Sequence, residues 1–166
     1  TESYDKAIAD LAAKLEGVEP ARVYLGGNSA FLSTAGPAMF QDLLIRNAGA
    51  ENVASEITDT YWATVSYEQL LAWNPDAIIL APQAEYTVDD VLNDPALADL
   101  DAVKNGKVYA MPNVIESWDS PIPSSYLGSI WMASVLYPDA VSTEDYTKAC
   151  VDFYQQFYGF DASSVL

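Results

Sequence analysis

The groups that could do chemistry in this chain fall in four short stretches. "GGNSAFLSTAGP" (26 to 37) carries Asn28, Ser29 and Phe31, "ITDTYWA" (57 to 63) carries Asp59, Tyr61 and Trp62, "PQAEYTVDD" (82 to 90) carries Glu85, Tyr86, Asp89 and Asp90, and "PNVIESWDSPIPSS" (112 to 125) carries Glu116, Trp118 and Asp119. Histidine is absent, which removes Ser-His-Asp and Cys-His nucleophilic arrangements and every His-containing zinc site. What remains is an aromatic rim of Phe31, Tyr61, Trp62, Tyr86 and Trp118 beside hydroxyl and amide groups, a surface suited to a bulky, partly apolar ligand. Tyr61 and Tyr86 are also candidate phenolate ligands for ferric iron or haem. The six carboxylates could instead form a hydrolytic pair or a hard-metal site, a reading weakened by how acidic the whole chain is.

Stepping outward, these stretches follow strands. "RVYLGG", Asn52 to Ser55, "AIILA" (77 to 81) and "KVYAM" (107 to 111) read as four strands, the third a continuous apolar run typical of a parallel strand buried on both faces. Helices are expected over residues 2 to 16, from Phe40 to Asn47 with Gly49 as stop, over "YEQLLAW" behind a Ser66/Gln69 capping box, weakly over 88 to 93, and over 97 to 104. Two more follow, over 124 to 137 and from a Ser142/Asp145 box to about Phe157. Trp73, Trp131 and Cys150 lie on apolar helical faces and read as core. Strands alternating with helices predict an α/β fold, an open and mostly parallel sheet with helices on both faces. Ligands of such sheets bind outside the carboxyl ends of the strands, where the four stretches lie.

Composition narrows the partners. The chain has 166 residues, 51% of them hydrophobic, with 7 basic against 24 acidic side chains and a net charge of −17. Such a field disfavours nucleic acid and anionic lipid. None of the seven basic residues (Lys6, Lys14, Arg22, Arg46, Lys104, Lys107, Lys148) falls in the four stretches, and Gly26-Gly27 is neither a dinucleotide fingerprint nor a Walker loop. No apolar run has transmembrane length. A single cysteine excludes an internal disulfide and leaves the compartment open.

The run "YWATVSYEQLLAWNPDAIIL", then "LADLDAVKNGKVYAMP" and "SWDSPIPSSYLGSIWMASVLYPD", resembles the C-terminal lobe of ABC-transporter substrate-binding proteins of the iron-siderophore, haem and vitamin B12 class. The resemblance implies a Rossmann-like lobe over 18–166, preceded over 1–17 by the end of a long helix that joins two lobes. It implies a monomer outside the cytoplasm, periplasmic or a cell-surface lipoprotein, that has no catalytic or resident metal site. The protein would have no intrinsic cofactor and would carry a metal chelate (ferric siderophore, haem or cobalamin) to a membrane permease. By the same resemblance Trp62 and Trp118 face ligand and Glu68, in "VSYEQ", docks onto permease arginines. Glu68 equally suits the second position of a helix, and either tryptophan could pack over the sheet edge. An oxyanion such as molybdate is the alternative cargo. In another class altogether, the rival is a flavodoxin-like, divalent-ion-dependent enzyme or regulatory domain.

Overall fold

The computed structural model describes residues 2–166, so residue 1 of the expected interlobe segment lies outside the described residues. Four parallel strands, β1 (Arg22–Gly26), β3 (Glu51–Asn52), β5 (Ala77–Leu80) and β6 (Val108–Ala110), form one sheet in the order β3-β1-β5-β6. Two further strands, β2 (Ser33–Ala35) and β4 (Trp62–Thr64), pair antiparallel as a separate ribbon. Around them lie α1 (Glu2–Lys14), α2 (Phe40–Asn47), α3 (Tyr67–Trp73), α4 (Val88–Leu92), α5 (Asp101–Lys104), α6 (Tyr126–Leu136) and α7 (Thr143–Tyr158).

Alternation along the strands sends side chains to opposite layers. Val23, Leu25, Ala77 and Ile79 join a core with α1, α2, α6 and α7, whereas Tyr24, Ile78, Leu80 and Val108 join a second core with Leu70 and Trp73 of α3, Val91 of α4 and Leu97 and Leu100. β5 is buried at all four positions, as its unbroken apolar sequence predicts. Helix α6 is buried over nine consecutive residues from Tyr126 to Ser134 because α2 and α7 pack beside it. Cys150 is fully buried, and its thiol is pushed up to about 12 by burial, so it belongs to the core as expected. α1 lies against the lobe through an edge contact of Tyr4 with Tyr126, the hydrogen bond from Asn47 to the Tyr4 hydroxyl, and the ion pair Lys14–Asp145.

Three local expectations are corrected. The stretches around Phe31 and Trp62 are not plain loops: the β2–β4 ribbon runs through both, and at three residues per strand it falls below the length at which alternation is visible. Ser66 caps α3 by accepting from the Gln69 N–H at 3.1 Å, with no reciprocal bond from the Gln69 side chain, while Thr87 and Asp90 make the full capping box at the start of α4. The expected helix over 97 to 104 breaks in two, a 3₁₀ turn at Pro95–Leu97 and then α5, with Leu100 extended between them.

Candidate functional site

The strand succession reverses between β1 and β5, the place where open parallel sheets present a crevice. Here that crevice is filled. The Tyr86 hydroxyl donates to the Gly27 carbonyl at 2.6 Å, and its ring meets Phe31 edge-on at 5.7 Å between centroids. Phe31 in turn packs on Tyr24, whose hydroxyl donates to the Phe31 carbonyl at 2.7 Å. Gly26 permits this closure, because a Cβ there would lie 2.6 Å from the Tyr86 oxygen. Burial pushes the Tyr86 hydroxyl above its ordinary range, and its proton is already committed. Tyr86 is therefore not placed as a phenolate ligand, and Phe31 and Tyr86 serve as half-buried packing beneath the surface.

The open surface lies over that plug. Asn28 and Ser29 are exposed, Tyr61 is 68% exposed and Trp62 39%. Trp62 opens β4, paired with Ala35 of β2, and its ring lies over Gly27, where a Cβ would come within 3.3 Å of it. The ribbon hangs from the end of β1, since the Gly27 N–H donates to the Ser33 carbonyl at 2.7 Å. One aromatic pair and one polar loop thus share the carboxyl edge of the sheet. Glu68 lies near the same edge, because α3 leads into the start of a parallel strand and so begins at the opposite end. It is fully exposed, makes no ion pair among the described residues, and is held below the usual carboxylate range by hydrogen bonds from its own N–H and from Ser66.

Trp118 is a correction. It is 2% exposed, its indole N–H donates to the Tyr154 hydroxyl at 3.2 Å, its ring meets Tyr146 edge-on, and Gly128 of α6 backs onto its Cβ. The stretch after β6 turns inward there because an indole gains more by filling the α6–α7 seam than by facing water. The nearby Glu116 accepts from the hydroxyls of Ser124, Tyr154 and Tyr158, so it staples this loop to α7.

The loop carboxylates do not converge. Among the described residues no three of Asp, Glu, His or Cys are grouped to hold a metal ion. Asp90 is spent on the α4 cap, and Asp119 is half-buried and raised by that burial, against a lowering contact from Gln41. Two grooves flank α1, of about 420 and 700 Å³, the first walled by Lys6, Asp10 and Lys148 and the second by Pro123 and Phe157. Both lie beside the expected interlobe helix and away from the aromatic edge.

Among known proteins, the chain is 34% identical over 154 residues to the molybdate-binding protein MolA of Haemophilus influenzae, covering 92% of this chain and 43% of that protein. The structure of MolA bound to molybdate superposes with a TM-score of 0.79 at 33% identity, covering 96% of this chain and 51% of that one. A periplasmic solute-binding protein of Veillonella parvula matches with a TM-score of 0.81 at 27% identity over 96% of this chain and 50% of that one. Helicobacter pylori CeuE, solved as a Ni-His complex, shares the fold, with a TM-score of 0.85 at 22% identity over 98% of this chain and 52% of that one. The chain thus spans about half the length of these relatives. Residues 1–115 match the model of the periplasmic binding protein family, and to that family this chain belongs.

Proposed function

We propose that the chain is one lobe, residues 18–166 with 1–17 as the end of an interlobe helix, of the extracytoplasmic solute-binding component of an ABC importer. It works by reversible binding without turnover, as a monomer in the periplasm or tethered as a lipoprotein, and hands its cargo to a membrane permease. One observation carries this reading. The crevice at the strand reversal is filled from within, so the open surface above it, with Asn28, Ser29, Tyr61 and Trp62, is a single wall that needs a facing body to enclose a ligand. Glu68, exposed, charged and without an ion-pair partner among the described residues, supports a docking role toward permease arginines.

For the cargo we favour an oxyanion of the molybdate class, on the strength of the 34% identity to a molybdate binder. With no basic side chain in the four stretches, such an anion would be held by N–H and hydroxyl donors. The exposed Tyr61–Trp62 pair favours a second reading, a metal chelate such as a ferric siderophore, haem or cobalamin. Tryptophan fluorescence of the full two-lobed protein, titrated with molybdate, haem, cobalamin, a ferric hydroxamate and a ferric catecholate, decides between them, with Trp62→Phe as control for non-specific quenching. Saturation by molybdate alone supports the oxyanion, saturation by a chelate transfers the assignment, and a folded chain that saturates with none of them removes both cargoes.

A further inference from the structure

The loop that follows β1 has a polarity that its side chains do not reveal. Four of its carbonyl groups are taken up: Gly27 by the Tyr86 hydroxyl at 2.6 Å, Asn28 by the Glu85 N–H at 2.9 Å, Ala30 by the Ser33 N–H at 3.1 Å and Phe31 by the Tyr24 hydroxyl at 2.7 Å. The first of these donors is a side-chain hydroxyl and the second a backbone N–H, so the Gly27 carbonyl faces the Tyr86 hydroxyl and the Asn28 carbonyl faces the Glu85 N–H. Among the described residues every peptide bond is trans, and in a trans peptide the N–H points opposite to the carbonyl of the same unit. The Asn28 N–H therefore points away from the Tyr86 hydroxyl, and the Ser29 N–H away from the Glu85 N–H. Neither makes a hydrogen bond within the described chain, and both residues are exposed. Adjacent N–H groups that are exposed and without a protein partner are backbone donors of the kind that receive anions without a cationic side chain.

We propose that the Asn28 and Ser29 N–H groups are the oxyanion-receiving element of this lobe, and that Tyr86 is the positioning residue that orients the first of them by holding the Gly27 carbonyl. This rests on the oxyanion reading above. It accounts for how a wall without lysine or arginine, in a chain of net charge −17, takes an anion: the donors are fixed dipoles. Tyr24 plays the matching part at the far end of the loop, but it is fully buried and its replacement would disturb the core, so Tyr86 is the residue to change. Tyr86→Phe removes the oxygen alone and keeps the ring against Phe31.

The test follows backbone amides by ¹H–¹⁵N NMR in the full two-lobed protein while molybdate is added, with molybdate affinity measured by calorimetry in parallel for the native protein and Tyr86→Phe. The expected result is that the Asn28 and Ser29 amide protons move downfield saturably, and that Tyr86→Phe binds about tenfold more weakly at a temperature where it is fully folded, its thermal midpoint without ligand falling by a few degrees. The shift of those two amides is a readout that a merely structural tyrosine would not move. Saturable shifts confined to other residues, with Tyr86→Phe binding normally, overturn this inference and leave the oxyanion assignment standing. No saturable shift anywhere in the native protein overturns both.

Discussion

At the scale of single residues, the contrast between Trp62 and Trp118 is instructive because sequence context treats them alike. Each stands in a stretch that follows a strand, beside small polar residues. Trp62 sits on a short ribbon projecting from the sheet edge, whereas Trp118 has its indole N–H satisfied by Tyr154 inside the α6–α7 seam. The prediction for Trp118→Ala is accordingly a stability effect. Removing a buried indole leaves a cavity and takes away the N–H that the Tyr154 hydroxyl accepts, and a loss of about 3 to 5 kcal/mol is expected in denaturant unfolding. Cargo affinity per folded molecule should stay near native. A variant that unfolds normally but binds poorly would return Trp118 to the ligand surface.

Among the elements, the β2–β4 ribbon carries a polar group that earns nothing where it sits. Thr34 is fully buried and its Oγ1 has no hydrogen-bond partner. Thr34→Val keeps the shape and removes that hydroxyl, so urea unfolding should show a gain of about 1 kcal/mol. A loss instead would indicate that the hydroxyl serves a partner such as a buried water. The join of α1 to α7 makes a pH prediction. The Lys14 ammonium and the Ser142 N–H hold the Asp145 carboxyl below its ordinary range. A group depressed in the folded state contributes stability above its unfolded pKa and loses it as pH falls through the folded value. Thermal midpoints should thus be level near neutrality and fall below about pH 4, less steeply in Asp145→Asn. Identical acid profiles for the two proteins would show that the Lys14–Asp145 pair adds nothing measurable, the usual outcome for exposed pairs.

For the molecule as a whole, the wall that would meet cargo and the residue that would meet a permease lie toward one edge, and this follows from topology. Strand carboxyl ends and the N-termini of helices that lead into parallel strands must share an edge. Glu68→Arg should cut uptake in reconstituted vesicles by an order of magnitude or more while cargo affinity is unchanged, since reversing the charge replaces attraction to an arginine with repulsion. Normal uptake by that variant would leave Glu68 with only its role at the mouth of α3.

The sequence by itself determined the layered α/β plan, because periodicity and caps are local: the fully apolar β5, the Ser142/Asp145 box and the helical faces of Trp73 and Cys150 stand where their spacing puts them. It also determined that no histidine or loop lysine would do chemistry here. Only the tertiary structure decided which aromatics reach solvent. Phe31 and Tyr86 close over each other because Gly26 lets Tyr86 approach, and Trp118 is drawn inward by residues 28 and 36 positions away, Tyr146 and Tyr154. The direction of the Asn28 and Ser29 N–H groups was likewise invisible, since it is set by where Tyr86 and Glu85, nearly sixty residues later, place their hydrogen bonds. Local pattern fixes which elements form, but the orientation of a loop depends on partners distant in sequence, which meet it only after the sheet has assembled.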